Sequence, residues 1–273
     1  MTTAGQKRIN LFVNKLSKLS TTKEMISLCV SERESLKEKY TIGTVRAYMT
    51  DYRKAIKDKF GNRTNLLKHL RISRRENNSI ERKQNKKVVA QNKNLTKIEN
   101  PEQLIKIATD LLNESSYIKR ALGLMLLTGR RATEILKTGK LVKHKNRAYE
   151  SVFTGQLKTK GIEMKPYPIF TLIDSVIVNK ALRKLRKDKD FTQKTTTQVN
   201  KTASKELNLL VKRYFGDVVS SDIKSHDLRK IYAAICVHLY KKPFESTNVF
   251  LGSILGHSPD DLNTAHTYNK YYL

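Results

Sequence analysis

The C-terminal stretch of the chain carries Ser225-His226-Asp227-Leu228-Arg229, then Leu255-Gly256-His257, then Thr267-Tyr268-Asn269-Lys270-Tyr271-Tyr272-Leu273. His226-x-x-Arg229 sets an imidazole and a guanidinium about one helical turn apart, so both can face one object. Arginine offers a rigid planar fork of donors that matches a phosphate. A second cationic pair, Arg130-Arg131, follows the break Thr128-Gly129. Cations are disfavoured where a helix begins, so this pair raises the potential at a point suited to an anion. Glu134 is placed to partner one of the two. The loop Thr154-Gly155-Gln156-Leu157-Lys158-Thr159-Lys160-Gly161 can push Lys158 or Lys160 into a groove. Taken singly, each feature is explained as well by a surface ion pair or a solvated face.

Composition narrows the choice of anion. The 273 residues include 54 Lys and Arg against 25 Asp and Glu, a net charge of +29. Such an excess repels itself, and a polyanion compensates it: nucleic acid first, a membrane surface second. No run of about 18 apolar residues is present to span a bilayer. Met1-Thr2-Thr3-Ala4-Gly5-Gln6-Lys7 has no apolar stretch of signal-peptide type. Cys29 and Cys236 lie in apolar helical contexts and read as buried hydrophobes rather than a disulfide, as in an intracellular protein. The six His and two Cys show no metal-ligand spacing, so neither a metal nor a cofactor is expected.

The elements that must position these groups are mainly helical, with enough chain for one large domain or two modest ones. Residues 7–40 read as one or two helices with a break at Thr21-Thr22. Gly43-Thr44 opens another, with Val45, Tyr48, Met49, Tyr52 and Ile56 as its apolar stripe. Arg46, Arg53, Lys54 and Lys57 lie off that stripe, as a solvated face or as one laid along DNA. Gly61-Asn62 ends the helix. From Arg71 to Asn94 apolar residues are sparse, and Arg74, Arg75, Lys86 and Lys87 belong to a basic run. It reads as a linker able to track a phosphate backbone, or as a continuing helix. The domain boundary is placed near residue 90. Asn100-Pro101-Glu102-Gln103 starts a helix over 101–113, and an all-round apolar one follows over 115–127. Strands are predicted over 147–153 and 164–170, the second at an edge because of Pro166 and Pro168. Helices at 172–187, 201–214 and 227–240 follow, the last with Arg229 near its start.

Arg131 after Thr-Gly, a loop lysine, His226-x-x-Arg229, Leu-Gly-His257 and a late tyrosine, in that order, resemble the catalytic domain of tyrosine recombinases. Within that superfamily, Thr128–Ile135, Thr154–Lys158, Arg229–Ala233, Ile254–His257 and Ala265–Tyr271 look most like the hairpin telomere resolvases, or protelomerases. The likeness covers residues 100–273 and is fainter over 41–61. It implies a two-domain tyrosine-recombinase architecture, mainly α with a small β-hairpin or sheet. A helical core-binding, DNA-clamping domain would occupy 1–90, with the basic linker near 71–94, and an α+β catalytic domain 91–273. Double-stranded DNA with an inverted-repeat site is the implied partner.

Carried over residue by residue, Arg131 and Arg229 would clamp the scissile phosphate and Lys158 would take the hairpin-lysine position. His226 stands where integrases have His or Lys, and His257 is the second histidine. Tyr268 would be the nucleophile, with Tyr271 and Tyr272 as competitors. A phenol with a pKa of about 10 attacks only with help from a base or nearby cations. His226 is taken as the base, the two arginines and His257 as stabilisers of the pentavalent state, and Lys158 as the acid for the leaving 5′-oxygen. Arg46, Arg53, Lys54, Lys57, Arg74, Arg75, Lys86, Lys87, Arg130 and Lys160 are the expected DNA contacts. Five residues follow Tyr268, without the helix by which integrases dock on a neighbour, so a homodimer on DNA is expected. The function expected first is hairpin formation at a telomere site. Strand exchange between two duplexes by an integrase, and DNA binding without catalysis, are the alternatives. The expected location is intracellular and DNA-associated, in a bacterial cytoplasm or phage-encoded in a host.

Overall fold

The computed structural model describes residues 3–157, 165–256 and 267–273. They form two compact units, Met1–Lys87 and Val88–Leu273.

The first unit holds α1 (Thr3–Leu16), α2 (Thr22–Lys39), α3 (Ile42–Phe60), the single turn α4 (Thr64–Leu67) and a 3-10 turn over Lys68–Leu70. The break between α1 and α2 is a capping box, in which Thr21 Oγ1 accepts from Glu24 N and Glu24 Oε2 accepts from Thr21 N. The α3 stripe of Val45, Met49, Tyr52 and Ile56 is fully buried against Phe12, Leu16, Cys29, Leu36 and Leu70. The stretch from Arg71 is no irregular linker, because α5 covers Arg74–Lys93. Ser73 and Glu76 cap it reciprocally, at 3.2 and 2.7 Å. Only Ile80 of α5 is buried, so it carries little of the apolar periodicity by which helices are recognised.

The second unit contains β1 (Thr96–Lys97), α6 (Pro101–Asn113) and α7 (Tyr117–Thr128), and continues from β2 (Lys140–Lys143) through β3 (Glu150–Thr154) to β4 (Tyr167–Phe170). Helices α8 (Ser175–Asp188), α9 (Thr196–Phe215), α10 (Asp227–Tyr240) and α11 (Thr247–Leu255) follow, then β5 (Tyr271–Tyr272). Helix α7 is buried all round and packs on α6, α8, α9 and α10. The antiparallel order is β2-β3-β4, with Glu150 opposite Phe170 and Lys140 opposite Thr154. Strand β2 is mostly exposed and lysine-rich, which conceals it in the sequence. Helix α9 begins earlier than expected because Thr195 and Gln198 form a capping box.

Two short features set the site. Helix α7 ends at Gly129 with φ of +65°, where an added Cβ would enter the Tyr232 ring. The chain then makes a π-helical turn over Glu134–Thr138. Its carbonyls, those of Glu134, Ile135 and Lys137, and that of Gly139 all accept from the Arg186 guanidinium. At the far end of the chain, β5 pairs in parallel with β1, Tyr271 opposite Thr96. Among the described residues, no helix is long and apolar enough to cross a membrane.

Candidate active site

Glu134 organises the first half of the site. Its side chain is fully buried, yet it accepts from Arg131 N at 2.9 Å, Arg131 Nη1 at 2.6 Å and Leu157 N at 3.1 Å. Burial pushes its pKa up, but Arg130, Arg229 and Arg131 outweigh burial and hold the carboxyl below its ordinary range. Arg131 Nη1 also donates to Leu157 O at 3.3 Å. Arg131 Nε is buried and has no hydrogen-bond partner among the described residues. A buried donor without an acceptor is costly, and a bound anion would satisfy it.

The second half is Arg229 with Tyr268. Arg229, 2% exposed, donates through its terminal nitrogens to Gly129 O and Leu255 O, and from Nε to Tyr268 Oη at 3.3 Å. Burial first, then the neighbouring Arg130, lowers Arg229 to about 10, which leaves it charged near neutral pH. Tyr268 is itself buried. That burial resists ionisation, but Arg229 and then Arg131 outweigh it, and the phenol lies below its ordinary value. The tail is held by Thr96 N on Lys270 O at 2.9 Å and Ile98 N on Tyr272 O at 2.8 Å, with Lys270 Nζ at 3.4 Å from Asp227 Oδ1. Tyr271 and Tyr272 are taken up by the β1–β5 ladder.

Arg131, His226 and Arg229 all line one cavity of about 400 Å³, together with Thr133, Asn200 and Ser225. His226 stands at the N-cap of α10 and is exposed. Lys158, Lys160 and His257 lie outside the described residues.

Arg130 departs from its expected place among the DNA contacts. It is 1% exposed, and its donors go to Thr128 O, Tyr167 Oη and Ile254 O. Its guanidinium carbon lies 4.8 Å from the Phe153 ring centroid. The left-handed residue Gly129 separates it from α7, and although its donors are taken up by these partners it shares the lining of the same cavity with Arg131. The charge pattern did not separate two adjacent arginines, and it gave no sign of Tyr167 or Gln156.

In the first unit, Arg53, Lys54 and Lys57 line a groove with Lys68 and Arg71, and Arg46 is exposed. Arg53 also donates to Leu70 O at 2.6 Å. On α5, Arg74, Arg75, Arg82, Lys83 and Lys86 line a second groove, and Lys87 is exposed.

A family model described as the telomere resolvase ResT/TelK catalytic domain matches residues 94–271. The telomere resolvase ResT of Borreliella burgdorferi is 22% identical over 171 residues, 62% of this chain and 38% of that protein. The chain thus matches well under half the length of that relative. Protelomerase TelA covalently complexed with substrate DNA is 26% identical, with a TM-score of 0.91 over 100% of this chain and 89% of that one. A TelA mutant complexed with a DNA hairpin product gives the same figures. Protelomerase TelK complexed with substrate DNA, 23% identical with a TM-score of 0.63, covers 99% of this chain and 58% of that one, a likeness of fold.

Proposed function

The chain belongs to the telomere resolvase family, and on that premise we propose that it cuts and reseals double-stranded DNA through a phosphotyrosine on Tyr268, converting an inverted-repeat site into closed hairpin ends. The observation that carries this reading is Tyr268 Oη on Arg229 Nε, with Arg229, Arg131 and His226 lining one cavity.

In the proposed reaction the scissile phosphate enters that cavity. Arg131 Nε supports one non-bridging oxygen. Of the five N–H groups of an arginine, Arg229 keeps two beyond its bonds to Gly129, Leu255 and Tyr268, and these support the other. His226 takes the phenolic proton, Tyr268 Oη bonds to phosphorus, and the bond from phosphorus to the 5′-oxygen breaks. Lys158 protonates that oxygen and His257 donates to the pentavalent state, two roles that rest on the resemblance of their motifs. A 5′-hydroxyl then attacks the phosphotyrosine, and Tyr268 recovers its proton. Guanidinium groups supply the charge stabilisation, so the reaction is proposed to need no metal. Two copies on an inverted repeat would each cut one strand. Each 5′-hydroxyl crosses the dyad and seals a hairpin. The basic grooves of Met1–Lys87 hold the flanking duplex through its phosphates, inside a bacterial cell or a phage's host.

The test is incubation with a perfect inverted-repeat duplex followed by denaturing electrophoresis. Snap-back strands and a protein–DNA adduct are expected. Junctions requiring two duplexes would point to strand exchange, and tight binding with neither adduct nor hairpin would contradict the catalytic reading.

A further inference from the structure

We propose that Arg130 is a positioning residue, which keeps the Arg131 and Arg229 guanidinium groups in register through a half-buried relay of Tyr167, Gln156 and Gly256. The inference deepens the proposed function and rests on it for the identity of the reacting phosphate. A buried charge is expensive unless well partnered, and an apolar side chain of similar volume is often no less stable. Arg130 has no carboxylate in hydrogen-bonding contact among the described residues; its acceptors are two carbonyls, at 3.1 and 2.6 Å, and one phenol at 2.6 Å.

Those acceptors belong to the segments that anchor the other two arginines. Thr128 O precedes Gly129, whose carbonyl receives Arg229; Ile254 O precedes Leu255, whose carbonyl also receives Arg229. Tyr167 Oη donates onward to Gln156 Oε1, and Gln156 Nε2 donates to Gly256 O. Gln156 is joined to Leu157, which contacts Arg131 through its carbonyl and Glu134 through its N–H. The circuit therefore runs from the Arg131 anchor to the Arg229 anchor with Arg130 at its centre. Gly256 closes it at φ of +68°, where an added Cβ would strike both Gln156 and Tyr167.

Arg130→Met risks general unfolding, so the test uses Tyr167→Phe, which keeps the ring beside Phe153 and removes only the hydroxyl. Single-turnover cleavage is compared on a normal duplex and on one whose scissile phosphate has a non-bridging oxygen replaced by methyl. The neutral centre needs the clamp less. Tyr167→Phe is expected to slow cleavage of the phosphate by about a hundredfold, the scale of a small misplacement, and that of the methylphosphonate far less, with an unchanged melting temperature. Equal slowing of both, or of neither, overturns the inference. A second readout does not depend on catalysis. The rise in melting temperature caused by inorganic phosphate, corrected for the rise left in Arg131→Ala, is expected to be largely lost in Tyr167→Phe. If the wild type cleaves no DNA but this loss is seen, the functional reading fails and the positioning role stands. If wild type and variant respond alike, the positioning role fails.

Discussion

Arg229 Nε donates to Tyr268 Oη at 3.3 Å, joining the first turn of α10 to the C-terminal tail. Neither partner reaches this position by local structure alone. Arg229 is fixed by carbonyls at the ends of α7 and α11, and Tyr268 by the short β1–β5 ladder. The contact gives a cationic environment that favours the ionised phenol against the cost of burial.

A first consequence concerns pH. Attack needs Tyr268 without its proton, so the cleavage rate rises with pH until the folded pKa of Tyr268, which is depressed from the ordinary phenol value of about 10. Arg131→Gln removes one of the depressing charges, so the inflection moves to higher pH. Single-turnover pH–rate profiles of the two proteins check the direction.

Glu134→Gln leaves Arg131 without its buried counter-charge. Loss of one partner of a buried pair costs about 3–5 kcal/mol, measured by denaturant unfolding at neutral pH. The folded pKa of Glu134 is lowered, Arg130, Arg229 and Arg131 outweighing the effect of burial. Its charge therefore contributes stability above the unfolded pKa of about 4.3, and loses it as pH falls through the lower folded value. The variant should lack that part of the acid dependence.

Thr96→Pro removes the N–H that donates to Lys270 O. The tail should lose its register on β1. Adduct formation is expected to fall by about tenfold or more, as for other misplaced reacting groups, with an unaltered circular dichroism spectrum.

Neutralising Arg74, Arg75 and Lys86 on α5 should weaken DNA binding without base preference. Every phosphate that is no longer neutralised makes the plot of log affinity against log salt shallower by about 0.9. Titrations at several salt concentrations read this directly.

Much of this was legible in the sequence, for identifiable reasons. The Val45, Met49, Tyr52 and Ile56 stripe has a clear helical period, and Asn100 caps α6 through Gln103 N at 2.9 Å. Arg131, His226 and Arg229 stood out because their residue types and order carry chemistry. The burial of Arg130 against Thr128 O, Tyr167 Oη and Ile254 O was not legible, because those acceptors come from separate parts of the chain. Helix α11 was missed because its nine residues are mostly apolar and too few for the period to tell a short helix from a strand. Two-residue strands such as β1 and β5 have too few positions to show a period.

The central claim is that Tyr268 forms the bond to phosphorus. The most direct measurement is mass spectrometry of the peptide left covalently bound to DNA after denaturation and nuclease digestion. The phosphonucleotide is expected on Tyr268 in the wild type, in Tyr271→Phe and in Tyr272→Phe, with no adduct from Tyr268→Phe. An adduct mapped to Tyr271 or Tyr272, or undiminished adduct formation by Tyr268→Phe, would contradict the account.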